Sequence, residues 1–152
     1  MLFYDLSTYK LSDEKKWLSK RKLNPNVNDF AWGANASFIT KNNKQNKSYV
    51  KSDKNIKAKK SVLYYKQIYT LDKYSLLEIR LETGRHHQIR TQLSNKGMAI
   101  KGDLKYGFPR SNKDGSIHLH SRKIEFQHPV SKKTIKITAN PPKNVIWDLC
   151  NN

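Results

Sequence analysis

Residues 82–90 read Glu-Thr-Gly-Arg-His-His-Gln-Ile-Arg, and the hydrophobic pattern of the chain changes at this point. Before them, residues 74–81 alternate with a period of two, which predicts a strand with one buried face. Within residues 87–96, Ile89 and Leu93 lie four positions apart and a glycine follows, which predicts a short helix. The sequence therefore predicts a strand, a tight turn and a helix, with backbone N–H groups at the junction facing a phosphate or another anion.

Three further segments carry strand patterns. Residues 61–69 are rich in β-branched and aromatic side chains, and a short link separates them from residues 74–81, which predicts a hairpin. Residues 134–139 alternate and stop before two prolines, which predicts a last strand. Residues 117–126 are interpreted as another strand. Near the N-terminus, residues 13–22 show a brief helical pattern.

The charge of the chain indicates a polyanionic partner. Thirty Lys and Arg residues stand against 12 Asp and Glu residues, which gives a formal net charge of +18. Nucleic acid is the partner favoured by such an excess, and a solvated lysine-rich surface is the alternative. No apolar run approaches the ~20 residues of a bilayer span, so we expect no membrane partner and a cytoplasmic location. Cys150 is the single cysteine, which excludes an intrachain disulfide.

Residues 41–60 contain eight lysines and one acidic residue, Asp53. Such a composition predicts a mobile arm or a long hairpin connection, because like charges repel and little apolar surface offsets the ordering entropy. Three of these lysines are candidate phosphate contacts: Lys44, Lys47 and Lys51. A charge run without any partner is the alternative interpretation.

Three motifs together resemble a known enzyme family. They are residues 82–90, residues 100–107 (Ile-Lys-Gly-Asp-Leu-Lys-Tyr-Gly) and residues 117–123 (Ile-His-Leu-His-Ser-Arg-Lys). The chain is similar in these segments to the C-terminal half of the RluA-like, large-ribosomal-subunit type of RNA pseudouridine synthase, which isomerises uridine in folded RNA. The resemblance implies no cofactor and an α+β fold with a mostly antiparallel, mixed sheet and flanking helices. It implies a partial synthase domain over residues 41–149, preceded by an unmatched segment over residues 1–40.

The resemblance also assigns candidate site residues. Arg90 matches the family position that pairs with the catalytic aspartate and keeps its carboxylate ionised and oriented. That aspartate belongs to a His-Arg-Leu-Asp run, which does not occur in these 152 residues, so Arg90 is expected to lack its partner. Asp103 matches a position that complete family members carry beside the catalytic aspartate, so it is not predicted to be the nucleophile. The turn residues expected to contact RNA are Arg85, His86, His87 and Gln88.

Four histidines, His86, His87, His118 and His120, raise the question of a metal site. We predict none, because the chain offers no cysteine cluster or carboxylate at zinc-ligand spacing, and both pairs match family positions that bind no metal. His118 and His120 fall on the same side of the predicted strand and are both counted as RNA-contact candidates. One is expected to line the pocket and the other to be structural, and the sequence does not rank them.

Three functions remain open at this stage. The first is an RNA pseudouridine synthase acting on rRNA or tRNA, truncated and inactive in its present form, with a separate catalytic chain as a conceivable partner. The second is a non-catalytic, basic RNA-binding module. The third is a small basic structural protein without RNA specificity. The near-complete second half of a family pattern favours the first.

Overall fold

A five-stranded antiparallel sheet forms the centre of the fold. The computed structural model of the chain describes residues 2–5, 32–51, 57–70 and 73–149. The strands of the sheet are β1 (Leu2–Asp5), β2 (Gly33–Asn42), β3 (Lys47–Lys51), β4 (Lys59–Thr70) and β5 (Tyr74–Leu81). Their spatial order is β1-β5-β4-β2-β3, and every neighbouring pair is antiparallel. The predicted α+β class and antiparallel sheet are confirmed.

The remaining described elements are short. They are helix α1 (Gln88–Ser94), a 3-10 turn (Leu104–Tyr106), strands β6 (Lys123–Gln127) and β7 (Thr134–Thr138), and helix α2 (Val145–Leu149). Strands β6 and β7 form a separate antiparallel hairpin. The predicted strand-turn-helix unit and the predicted last strand are therefore confirmed. No described helix has the length and apolar character needed to cross a membrane.

Strand β5 contributes side chains to two hydrophobic clusters, whereas the sequence predicted one buried face. Leu77 packs with Leu93 of α1, whereas its neighbour Leu76 packs with Trp147 of α2. Because consecutive strand residues point to opposite faces, β5 is covered on both sides in this region. The expected alternation also fails at the other end of the strand, where Leu81 is 51% exposed.

A buried glutamine holds α1 against the sheet. Gln92 is 1% exposed, and its Nε2 lies 3.1 Å from the backbone oxygen of Asn35 and 3.1 Å from that of Ser61. Asn35 returns a hydrogen bond from its Nδ2 to the backbone oxygen of Gln92. Since Asn35 is on β2 and Ser61 on β4, one side chain joins the helix to two strands.

Two sequence interpretations need correction. Residues 41–51 are not an arm, because β2 extends to Asn42, the chain turns, and β3 pairs back along β2. The lysines at the surface of this hairpin are tolerated because the pairing of β2 with β4 supplies long-range order. Residues 52–56 of the expected arm lie outside the described residues, as does the helical pattern at residues 13–22.

The predicted strand over residues 117–126 is also wrong in its first half. Strand β6 begins at Lys123. Before it, Ile117 and Leu119 pack into the core formed with α1, and the backbone N–H of His118 donates to the backbone oxygen of Lys101 at 2.9 Å. These contacts fix an irregular segment whose alternation comes from packing on two sides rather than from a strand ladder.

The same segment approaches Gly102 closely. Gly102 has a φ of 86°, and a Cβ placed there would lie 2.6 Å from the backbone oxygen of Ser116 and 2.6 Å from Nδ2 of Asn112. Both the left-handed backbone and the lack of space require glycine at this position.

Candidate functional site

The turn between β5 and α1 is built by its own side chains. Gln88 is 3% exposed, and its Oε1 accepts hydrogen bonds from the Arg85 backbone N–H and the Thr83 hydroxyl, each at 2.9 Å. Its Nε2 donates to the backbone oxygen of Val62 at 3.0 Å. We expected Gln88 to contact RNA. Its burial and its bonds within the protein make Gln88 a support of the turn, and its contact with RNA stays a prediction.

Arg90 is bound to a carboxylate. Its Nε donates to Oδ2 of Asp103 at 2.7 Å, and its Nη2 donates to Oδ1 at 2.7 Å. Asp103 is 1% exposed, and its Oδ1 also accepts from the backbone N–H of Tyr106 at 3.3 Å. The turn after α1 thus brings Asp103, which is not the family's catalytic aspartate, into the guanidinium fork of Arg90. The expectation that Arg90 lacks the catalytic aspartate itself stays a prediction. The catalytic role of Arg90 stays a prediction.

Tyr106 joins three elements around this ion pair. Its hydroxyl oxygen accepts from the backbone N–H of Ser48 on β3 at 2.8 Å and lies 2.9 Å from Nδ1 of His87. Its ring lies 4.8 Å from Cζ of Arg90 and 5.2 Å from Nζ of Lys47. The hydroxyl therefore connects β3 to the start of α1, while the ring faces two cations.

His87 is held in one tautomer. It has a left-handed backbone with φ of 52°, and Nη1 of Arg90 lies 3.3 Å from its Nε2. Since a guanidinium can only donate, Nε2 accepts and the proton resides on Nδ1, which donates to the Tyr106 hydroxyl. Burial, followed by the positive charge of Arg90, lowers the pKa of His87 to about 4. His87 is thus neutral at neutral pH.

His86 connects the same turn to the β2–β3 hairpin. Its ring stacks on His87 with 3.8 Å between centroids. Its Nδ1 lies 2.9 Å from the Ser48 hydroxyl, and its Nε2 lies 3.1 Å from Oδ1 of Asn46. Burial, followed by the positive charge of Lys41, lowers the pKa of His86. These bonds draw the hairpin turn beside the Arg90 pair.

The hairpin lysines surround this arrangement unequally. Lys47 is half-buried, and its Nζ lies over the rings of Tyr49 and Tyr106, whereas Lys44 and Lys51 are exposed. Lys47 and Tyr106 also line an open cavity of about 260 Å³. Arg85 is exposed at the turn, and its Nε donates to the backbone oxygen of Lys60 at 3.2 Å. Ser48 and Tyr106 thus bring His86, His87 and Lys47 close together, and Arg85 lies on the β4 side of the same turn.

His118 and His120 lie elsewhere, against Trp147. His118 is 4% exposed, and its ring stacks on Trp147 at 5.6 Å, while Nδ2 of Asn112 donates to its Nδ1 at 2.8 Å. Burial, followed by the charge of Lys101, lowers the pKa of His118. His120 donates from Nε2 to the backbone oxygen of Ala139 at 3.1 Å. The expectation that one of this pair lines a pocket is not supported, because both are engaged in packing the C-terminal segment.

Sequence reasoning missed two members of the site. Tyr106 and Asp103 lie in the motif at residues 100–107, and neither is among the site residues that the sequence predicts. The signal available was a carboxylate and a phenol bracketed by two glycines, a pattern that brings polar groups into a tight reversal. Over the described part of the chain, no group of three or more His, Cys, Asp or Glu side chains is placed to hold a metal ion.

The fold and the site define an α+β protein with an antiparallel sheet and a cationic, histidine-rich turn. The sequence model of a family described as RNA pseudouridylate synthase matches residues 7–95, which is more than half of the chain. The chain therefore belongs to the RNA pseudouridylate synthase family, and it is similar to members of the RluA-like type. The match begins inside the segment that was expected to be unmatched, and β2 joins that segment to the central sheet. The domain boundary near residue 40 stays a prediction.

Curated relatives resemble the chain over part of their length. Ribosomal large subunit pseudouridine synthase D of Zymomonas mobilis is 33% identical over 97 residues, covering 59% of this chain and 31% of the relative. An uncharacterized RNA pseudouridine synthase of Chloroflexus aurantiacus is 41% identical, covering 54% of this chain and 26% of the relative. tRNA pseudouridine synthase C of Pectobacterium carotovorum is 33% identical, covering 53% of this chain and 22% of the relative. The chain thus spans about a third or less of these relatives.

Solved structures resemble the fold. The human RNA pseudouridylate synthase domain containing 4 superposes with a TM-score of 0.61 at 20% identity, covering 78% of this chain and 55% of that chain. The human RNA pseudouridylate synthase domain containing 1 gives a TM-score of 0.58 at 20% identity, covering 82% of this chain and 54% of that chain. At this identity the similarity establishes the fold alone.

Proposed function

We propose that this chain acts on RNA as part of a uridine-to-pseudouridine isomerase, with rRNA or tRNA as its substrate. The observation that carries the proposal is the assembled turn at residues 82–90, where His86 and His87 lie beside the lysine hairpin and Arg85 is exposed. Curated relatives named for the ribosomal large subunit and for tRNA support this substrate class. The net charge of +18 supports binding through phosphates.

We further propose that these 152 residues grip RNA and do not isomerise uridine by themselves. The family chemistry requires a carboxylate at the sugar of an extruded uridine. Asp103 is the carboxylate that reaches Arg90, but it is 1% exposed and both of its oxygens accept from Arg90. Because the family's catalytic aspartate also pairs with an arginine, the burial of Asp103 is what makes it a structural anchor: its carboxylate would have to leave the protein interior to reach a sugar.

RNA binding can be tested separately from isomerisation. The purified chain is titrated into fluorescently labelled rRNA and tRNA transcripts at several salt concentrations, and its affinity is expected to fall steeply with salt. In parallel, the chain is incubated with RNA carrying tritium at uridine C5, and tritium release to water is counted beside a complete family member. Binding without release is the expected result. Release by the chain alone would contradict the structural assignment of Asp103, and absence of binding would overturn the proposal.

A non-catalytic RNA-binding module is the second candidate, and the closed Arg90–Asp103 pair is the observation that favours it. The two candidates differ in a complementation experiment. The chain is mixed with a segment of a complete family member that carries the His-Arg-Leu-Asp run. Tritium release from the mixture, and from neither component, supports a part of an isomerase. RNA binding with no release from the mixture supports the module.

A further inference from the structure

A second cationic cavity lies on the other side of the loop that follows Asp103. It has a volume of about 370 Å³ and is lined by three cationic side chains, Lys73, Lys101 and Arg110. Tyr74 and Phe108 also line the cavity, and the described residues that line it include no carboxylate. None of these residues belongs to the motifs that predicted the Arg90 site, with the exception of Lys101.

Two of the three cations of this cavity are exposed to solvent. Among the described residues, neither Lys73 nor Arg110 forms an ion pair, and both are exposed. Lys101 donates to Oδ1 of Asn112, which fixes its ammonium at the cavity, and its Nζ lies 5.9 Å from the centroid of Tyr74. The positive charge of Lys101 also contributes to lowering the pKa of His118. Apolar ring walls beside like charges strengthen the local field on a bound anion.

The position of the cavity connects it to the Arg90 site. The loop begins at Asp103 inside the ion pair, Gly107 lines the smaller cavity that contains Lys47, and Phe108 lines the larger one. The backbone N–H of Phe108 donates to the backbone oxygen of Asp103 at 3.0 Å, so the loop is closed on itself. Two basic cavities therefore flank successive residues of one ordered loop.

We propose that this cavity is a phosphodiester subsite for the RNA strand that flanks the target uridine. The inference rests on the proposed function, since it assigns a second contact to the same RNA. A cluster of three cations suits a phosphate group, and the loop that follows Asp103 places this cavity next to the cavity that Lys47 lines. The aromatic walls suit the sugar and base edges beside the phosphate.

The test compares two double variants with equal loss of charge. Lys73→Gln/Arg110→Gln removes the two exposed cavity cations, and Lys123→Gln/Lys143→Gln removes two exposed lysines outside the cavity. Affinity for a single-stranded oligoribonucleotide is measured across a salt series. For the cavity variant, the slope of log affinity against log salt concentration should be smaller in magnitude by about 1.4. If the variant and the wild type have equal affinities at about 1 M salt, this corresponds to roughly 25-fold weaker binding by the variant at about 0.1 M. The control should keep the wild-type slope.

Further arms separate this proposal from its alternatives. Arg110→Lys retains the charge and should keep the slope, and an unchanged thermal melt verifies that each variant is folded. Inorganic phosphate that competes as well as the oligonucleotide would identify a free-phosphate site and overturn the strand assignment. Equal loss in both double variants would overturn it as a net-charge effect. If the wild-type chain binds RNA and the cavity variant binds it equally well, the subsite alone is refuted. If the wild-type chain binds no RNA, the proposed function is refuted as well.

Discussion

Replacing Arg90 by methionine should destabilise the fold, because it leaves the Asp103 carboxylate buried without its cation. Asp103 is 1% exposed and would keep only the 3.3 Å contact from the Tyr106 backbone N–H. Removing one partner of a buried ion pair costs about 3–5 kcal/mol. The Arg90 side chain is 19% exposed, so we expect the lower end, about 3 kcal/mol, or roughly 10 °C in Tm.

The assay is urea unfolding of the 152-residue chain, followed by tryptophan fluorescence. Arg80→Met is the matched control, because Arg80 pairs with Glu78 at 3.3 Å with both side chains exposed. The exposed ion pair contributes about 1 kcal/mol or less, and the Trp32 ring, whose centroid lies 4.1 Å from Cζ of Arg80, adds about 0.5–1 kcal/mol. A double variant, Arg90→Met/Asp103→Leu, should recover part of the loss, because it removes both charges.

Equal stability of the Arg90 and Arg80 variants would refute the anchoring role of the Asp103 pair. It would instead support the expectation from the sequence, in which Arg90 is available to pair with the family's catalytic aspartate. Loss of isomerisation in a complemented Arg90 variant indicates a direct role only if stability is retained, since unfolding of the turn would also abolish activity.

Three further results are expected. The folded-state pKa of His87, about 4, lies below its ordinary value, so the unfolded state binds more protons between about pH 4 and 6.5. The free energy of unfolding that neutral His87 contributes is fully present above that window and is lost as pH falls through it. Asparagine tolerates the left-handed backbone, so His87→Asn should reduce the pH dependence of stability measured by urea unfolding between pH 4 and 7. Gly102→Ala should lower the unfolding free energy by more than about 1 kcal/mol, and a thermal melt equal to that of the wild type would contradict the close approach found there. Replacing three hairpin lysines, Lys44, Lys47 and Lys51, by glutamine should reduce the salt dependence of RNA binding. An unchanged slope would show that these lysines do not contact the RNA phosphates.

Local patterns predicted the parts of this fold that depend on near neighbours. The β4–β5 hairpin, helix α1 and strand β7 all follow from side chains two to four positions apart, which share a face. The prediction of a mobile arm or a long hairpin connection over residues 41–60 failed where β2, β3 and β4 form, because the lysine content of a segment indicates only local charge repulsion. Pairing of β2 with β4 depends on residues distant in sequence and offsets that repulsion.

The sequence by itself determined the class of fold, the tight turn at residues 82–90 and the resemblance to an RNA-modifying family, because short motifs and periodicity record local chemistry. The tertiary structure decided which groups meet. The path of the loop after α1 delivers Asp103 to Arg90, and the packing of Trp147 withdraws His118 from the surface. It also places Lys73 beside Arg110 around one cavity. Such encounters depend on how separate elements are oriented against the sheet, and no local pattern encodes that orientation.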